Sequence, residues 1–192
     1  MAKENTYSRT KLALSGEAIE TERLRLRPFK PSDDNAFWRM RSSEAVMQHI
    51  PLDVATNKDE QLQEYADEFA AGERYKFFYA VEWKTPPAER VHPTDTMIGW
   101  VLFRPTEEGD YVELGYWFLP EAWGKGVATE ASLGIVHGQR AALGVPLKDV
   151  FAETFLENDA SRKVLEKVGL ELTHQGFRYE RTTNVFHWKV GH

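Results

Sequence analysis

Leu119-Pro120-Glu121-Ala122-Trp123-Gly124-Lys125-Gly126-Val127-Ala128-Thr129-Glu130 stands where one periodicity hands over to another. Upstream, residues 111–119 are rich in aromatic and β-branched side chains and stop at Pro120, which reads as a strand. Downstream, residues 127–143 carry apolar side chains at helical spacing, and Gly144 with Pro146 just beyond closes the segment. Two glycines at such a junction let the backbone come close to a ligand. The first free N–H groups of the helix, with the positive end of its dipole behind them, point into the same space. The stretch is an anion cradle in outline, although glycines at a strand-to-helix turn also serve geometry alone, and both readings stand at this point. It lacks the Gly-Lys-Ser/Thr of a phosphate-binding loop, and its glycine spacing is not the dinucleotide fingerprint. Nucleotide hydrolysis and hydride transfer therefore drop in rank.

Working outward, residues 150–155 predict another strand, Asn158 or Asp159 caps a helix ending at Gly169, and residues 170–179 and 185–190 predict a hairpin around Thr182-Thr183-Asn184. On the other side, residues 77–83 and 96–103 read as antiparallel strands joined by a Pro-containing loop, 85–95, with a turn at Glu107-Glu108-Gly109-Asp110. Leu24 and Leu26 alternate with Arg23, Arg25 and Arg27, a half-buried strand limited by Pro28. Ser32 and Asp33 predict the cap of a helix carrying Ala36, Phe37 and Met40, and a short segment with Ala45, Val46 and Ile50 stops at Pro51. Asn57 starts a third helix, with Leu62, Tyr65, Ala66 and Phe69 on one stripe and Gly72 as terminator. This order predicts an α/β fold with one central mixed sheet.

The chain has 192 residues, enough for one domain, which the periodicity places at 19–192 after a polar, aperiodic, flexible arm at 1–18. With 24 basic and 30 acidic residues the net charge is −6, which argues against direct nucleic-acid binding and mildly favours a cationic partner. There is no cysteine, so a disulfide framework, a thiolate metal site and a covalent thiol intermediate are excluded. A transferred group must move directly or through another nucleophile. The longest strongly apolar run, residues 97–103, is far short of the ~20 residues of a membrane helix, and no signal segment is evident. A soluble, cytoplasmic chain is expected. The six histidines, His49, His92, His137, His174, His187 and His192, are scattered without metal-ligand spacing, so no metal is expected.

The glycine stretch resembles motif A of the GNAT superfamily of N-acetyltransferases, whose pattern is Arg or Gln, two residues, Gly, one residue, then Gly or Ala. Trp123, Gly126 and Ala128 fall on those positions, with Trp123 departing from the usual first residue. The wider string from Tyr116 to Ala131 is similar to the RimJ/RimL-type branch, the ribosomal-protein N-terminal acetyltransferases and their relatives. Thr21-Glu22-Arg23-Leu24-Arg25-Leu26-Arg27 resembles the opening strand of that branch, and Asn158-Asp159-Ala160-Ser161 through Glu166-Lys167-Val168-Gly169-Leu170 resembles its motif B. The resemblance covers residues 19–190 in order. It implies a central mixed sheet of about seven strands with helices on both faces, in which two parallel strands splay apart and acetyl-CoA enters the V.

By this resemblance, Trp117, Phe118 and Leu119 pair with the pantetheine, and Gly124, Lys125, Gly126, Val127, Ala128 and Thr129 hold the pyrophosphate. Asn158 reaches the cofactor from the second strand, or caps the helix, or does both. An amine attacks a thioester only when neutral, and a carboxylate can take its proton. Glu113 and Glu153 match positions where relatives carry the general base; the alternative for each is a solvated strand carboxylate. The Phe118 N–H is the candidate donor to the oxyanion. Leu165 stands where many GNAT enzymes have the Tyr that protonates the thiolate, so Ser161 is the candidate for that bond, its alternative being a capping or solvent-facing hydroxyl. Trp38, Phe77, Phe78, Tyr79, Trp83, Trp100, Tyr116 and Trp117 read as core, with some free to wall an acceptor pocket between the first helices and the final hairpin. The implied acceptor is a primary amine: a protein N-terminus such as that of a ribosomal protein, an amino acid, a polyamine or an antibiotic. A silent CoA-binding or partner-binding module is the alternative of another class. Relatives are monomers or homodimers.

Overall fold

The computed structural model describes residues 17–72, 77–87, 96–106 and 110–189. Most of the predicted arm (1–16), much of the 85–95 loop (88–95) and turn residues 107–109 lie outside the described residues. Eight strands form one sheet: β1 (Ile19–Glu20), β2 (Leu24–Pro28), β3 (Phe78–Trp83), β4 (Met97–Pro105), β5 (Val112–Phe118), β6 (Val150–Phe155), β7 (Leu170–Arg178) and β8 (Arg181–Trp188). Their spatial order is β1-β2-β3-β4-β5-β6-β8-β7. All neighbours are antiparallel except β5 and β6. The sheet is the expected mixed one, with one strand more than about seven because Ile19 and Glu20 pair with Leu26 and Arg25.

Helices α1 (Asp34–Arg41), α2 (Glu44–Met47) and α3 (Lys58–Ala71) pack on one face, and α4 (Val127–Leu143) and α5 (Asp159–Val168) on the other. Covered on both faces, the central strand β4 is apolar at nearly every position, which is why residues 97–103 form the longest apolar run. Phe29, Phe78, Trp100 and Trp117 form an aromatic row across β3, β4 and β5, with centroids 6.1, 4.9 and 4.7 Å apart. On α3, Tyr65 is buried and its hydroxyl donates to the Lys30 carbonyl at 2.9 Å, whereas Ala66 of the predicted stripe is exposed. No helix among the described residues is long and apolar enough to cross a membrane.

Three local expectations are overturned by interactions that no local pattern announces. Asp33 does not cap α1. Its carboxylate turns back to accept the Lys30 N–H and two parallel bonds from Arg27, both at 2.8 Å. Arg27, expected on the polar face of a half-buried strand, is buried between Asp33 and Glu82, whose carboxylate lies 3.1 Å from Nε. The last hairpin turns at Tyr179 and Glu180, not around residues 182–184, and β8 begins at Arg181. Both turn residues have positive φ, 54° and 58°, the geometry of a two-residue turn matched to strand twist, built here without glycine.

The buried pair gives a direct test of what holds the first helix to the sheet. Asp33→Ala leaves Glu82 as the one carboxylate bonded to the buried Arg27 guanidinium among the described residues, beside the Pro28 carbonyl and Thr96 Oγ1, and is expected to lower stability by about 3 kcal/mol. The urea midpoint should fall with an unchanged slope. An unmoved midpoint would show that Glu82 suffices.

Candidate active site

Parallel strands β5 and β6 pair at only two registers, Val112 with Val150 and Glu113 with Phe151. Beyond these they diverge, β5 staying with β4 and β6 with β8. The phase of the β4–β5 ladder decides which backbone groups face the gap. Leu119 N–H donates to the Ile98 carbonyl at 2.9 Å. Because antiparallel bonds alternate, Trp117 shares that phase, while Leu114, Tyr116 and Phe118 turn their N–H and C=O away from β4. The Trp123 indole N–H accordingly reaches the Phe118 carbonyl from the gap side at 2.7 Å. Of the three positions expected to face pantetheine, Phe118 alone presents its backbone to the gap; the Leu119 carbonyl accepts the Ala122 N–H. Opposite Phe118 stands Gly99, where a β-carbon would lie 2.4 Å from the Trp117 carbonyl oxygen. Only glycine fits that approach.

At the mouth of the gap the chain turns through Gly124 and Gly126, with φ of 70° and 75°, into α4. The first helical bond runs from the Glu130 N–H to the Gly126 carbonyl, so the amides of Val127, Ala128 and Thr129 precede the internal ladder. Val127 is buried and anchors the turn, leaving its amide side toward the loop. Arg23 straps the loop from β2's approach. Its Nη1 donates to the Lys125 carbonyl at 3.0 Å and its Nε to Glu130 at 2.7 Å, and Thr21 also bonds Glu130 at 2.6 Å. The Lys125 ammonium folds back onto the Glu121 carbonyl, and Arg39 of α1 pairs with the Glu121 carboxylate.

Side chains three apart on β5 face opposite sides, which separates two polar groups across the gap. On the α5 side, the Tyr116 hydroxyl meets Ser161 Oγ at 2.9 Å and the Ser161 carbonyl at 3.2 Å. Burial pushes the Tyr116 phenol well above its usual range, the bond to Ser161 pulling weakly the other way. Asn158 Oδ1 caps α5 by accepting the Ser161 N–H at 3.0 Å, and Asn158 also lines the cavity. Leu165 is buried.

On the opposite side, Glu113 and Glu153 come together through arginines. Arg104, directly across the ladder from Glu113, donates to its Oε2 from Nε at 2.9 Å and Nη2 at 2.7 Å. Arg178 Nη1 donates to Glu153 Oε2 at 2.7 Å and lies 4.0 Å from Glu113 Oε1. Burial works against the charge of Arg178, but Glu153 and Glu113 outweigh it and raise its pKa. One cavity of about 1250 Å³ takes in both sides, from Glu113 and Glu153 to Asn158 and Ser161. The sequence pointed to the carboxylates, the loop, Asn158 and Ser161, but not to Arg104, Arg178 or Arg23 as their partners, and Tyr116 was read as core. Register across strands carries those pairings, and the only signal available beforehand was the parity that puts Arg104 and Glu113 on matching positions.

Comparison with known proteins agrees with this geometry. The family description "Acetyltransferase (GNAT) domain" matches residues 23–171. The Bacillus subtilis (strain 168) uncharacterized N-acetyltransferase YoaA is 29% identical over 154 residues, 80% of this chain and 82% of that protein. A GNAT-family acetyltransferase structure from Bacillus anthracis superposes with a TM-score of 0.70 at 21% identity, covering 88% of this chain and 95% of its own. Mycobacterium smegmatis RimJ, solved with CoA-disulfide, superposes with a TM-score of 0.67 at 18% identity, covering 90% and 87%. The chain belongs to the GNAT acetyltransferase family and is an acetyltransferase enzyme of the kind that draws its acetyl group from acetyl-CoA.

Proposed function

We propose that this enzyme transfers acetyl directly to a primary amine in a ternary complex, as a member of the RimJ/RimL-type branch. The observation that carries the reading is the division of the splayed strands: glycine loop at the mouth, the Glu113/Glu153 pair on one face, Tyr116 with Ser161 on the other. The similarity to RimJ, a protein solved with a CoA derivative, supports the branch. The residues present suit acetyl-CoA. The Gly124 to Thr129 turn offers backbone amides to a pyrophosphate, and the gap beside Phe118 offers unpaired strand backbone to a pantetheine amide. Once bound, acetyl-CoA supplies an activated acetyl carbon and a thiolate leaving group.

The chain's own groups then divide the work. Glu113 takes two bonds from Arg104 on one oxygen and faces Arg178 with the other, whereas Glu153 meets a guanidinium only through Oε2. Glu153, with Oε1 unencumbered, is the better acceptor for the amine proton. The Phe118 N–H meets the negative charge that develops on the carbonyl oxygen. Ser161 offers its hydroxyl to the departing sulfur and is positioned by Tyr116, whose phenol lies 2.9 Å from Oγ, a contact in which either oxygen can donate. A carbon–nitrogen bond forms and the carbon–sulfur bond breaks. The neutral amine loses one proton to the carboxylate, the departing thiolate takes one from solvent and the carboxylate returns its own to solvent, so the products are an amide and free thiol.

Gly126→Asp places a β-carbon at positive φ and a negative charge in the cradle, and is expected to weaken acetyl-CoA binding by about tenfold or more. The shift of Tm with acetyl-CoA reads this, and an unaltered shift would remove the loop from the site. Glu153→Gln should slow kcat by about a hundredfold at constant KM for acetyl-CoA, while Glu113→Gln mainly raises KM. Unchanged turnover in both variants would end the assignment of a carboxylate base. Tyr116→Phe should lower kcat severalfold at constant KM for acetyl-CoA, and should add little once Ser161→Ala is present. Additive losses would show that the two hydroxyls act apart.

A further inference from the structure

Arg104, Glu113, Arg178 and Glu153 stand in one row across β4, β5, β7 and β6, and the row is electrically neutral. A bare ammonium entering it adds an uncompensated positive charge beside two guanidiniums. An amine that carries its own carboxylate brings the compensation with it. Arg104 Nη1 and Arg178 Nη2 have no hydrogen-bond partner among the described residues, the Arg178 guanidinium lying over the Tyr179 ring at 4.9 Å, and both side chains are 39% exposed. Their planar forks are shaped for a carboxylate. The wider cavity wall carries three arginines, Arg41, Arg104 and Arg178, against four glutamates, so the acidic excess of the whole chain is not concentrated there.

A second observation stands apart from the charges. Thr183 is 3% exposed, lines the same cavity, and its hydroxyl has no hydrogen-bond partner among the described residues. A buried hydroxyl is costly to leave unbonded, so a group that reaches it gains more than an ordinary bond. Thr183 Oγ1 and Glu153 Oε1 lie 3.2 and 3.8 Å from the point where a β-carbon on Gly176 would sit. The glycine keeps the space between them open.

We propose that the acceptor carries a carboxylate close to its amine, held by Arg178 and Arg104 with the Thr183 hydroxyl beside them, while the amine faces Glu153. The inference rests on the amine-acetylation reading above and narrows it to an amino-acid-like end: a free α-amino acid, or an N-terminal residue followed by an acidic side chain. Thiol release is measured on the full chain with the common L-amino acids, their α-amides, and the C-terminally amidated dipeptides Ala-Asp and Ala-Asn. The acid should exceed its amide counterpart by about tenfold in kcat/KM. A preference among the amino acids identifies the α-carboxylate, and a preference for Ala-Asp identifies the side-chain carboxylate. Thr183→Val and Gly176→Ala should each raise the acceptor KM by about threefold or more, with the acetyl-CoA KM unchanged. Thr183→Val loses no protein bond, so its Tm should hold even if Gly176→Ala proves less stable. Equal turnover of acids and amides overturns the inference alone, as does an unmoved acceptor KM in Thr183→Val. If nothing releases thiol although acetyl-CoA still raises Tm, the transfer reading falls and takes the inference with it.

Discussion

β5 and β6 hold each other through Val112 with Val150 and Glu113 with Phe151, and then part. Had they stayed paired, the sheet would close and Leu114, Tyr116 and Phe118 would spend their backbone groups on β6. The opening is possible because each strand is secured on its other side, β5 by β4 along its whole length and β6 by β8. Contacts between α4 and α5 bridge the two halves above the gap. Backbone N–H and C=O groups at the centre of a covered sheet are expensive to leave without partners. The indole of Trp123 satisfies one of them, the Phe118 carbonyl. The others face the gap, which in the reading proposed above takes an extended amide-bearing molecule in place of the missing strand.

In the reading proposed above, the same opening lets an acidic chain accommodate a phosphate-bearing ligand. Backbone amides at the start of α4 carry the favourable charge, and they need no excess of lysine or arginine. Arg23 adds a cation at that point, held by Glu130 and by the Lys125 carbonyl so that it also fixes the loop. Net charge is a property of the whole surface, and the two polar sides of the cavity show how little it says about a site. On the acceptor side, arginines and glutamates nearly balance. The acceptor proposed above differs from the cationic partner that composition favours in that its charges match a mixed wall.

Much of the fold was legible because its signals are local. The helix at 127–143 and the strand at 150–155 match the structure to the residue, since Gly144 and Asn158 are stop and start signals read within one turn of chain. Gly72 and Gly169 end their helices in the left-handed conformation for the same reason. The misses share an opposite cause. Asp33 has the chemistry of a cap, but a buried arginine six residues earlier offers a stronger partner. Tyr179 and Glu180 take positive φ because strands β7 and β8 pair along their length and impose the turn between them. In the site, the glycine junction announced a loop and the family resemblance two carboxylates, while the arginines that bind those carboxylates arrive from strands whose order only the folded sheet reveals.

Register couples this chemistry to stability. Glu113 and Tyr116 lie three residues apart on β5, so they serve opposite faces of the sheet only in one phase. A slip of a single residue would send the carboxylate toward α5 and the phenol toward the acceptor side. Two contacts on β4 prevent it. Gly99 admits the Trp117 and Phe118 backbone at a distance no β-carbon tolerates, and Arg104 faces Glu113 squarely across the ladder. The first contact is steric and sits at the open end of the V; the second is electrostatic and sits where β5 and β6 still pair. Between them they fix β5 at both ends of the active segment. The Arg104 guanidinium therefore has a part in the phase of the strand as well as in the charge of the cavity, and these two roles belong to one hydrogen-bonded pair.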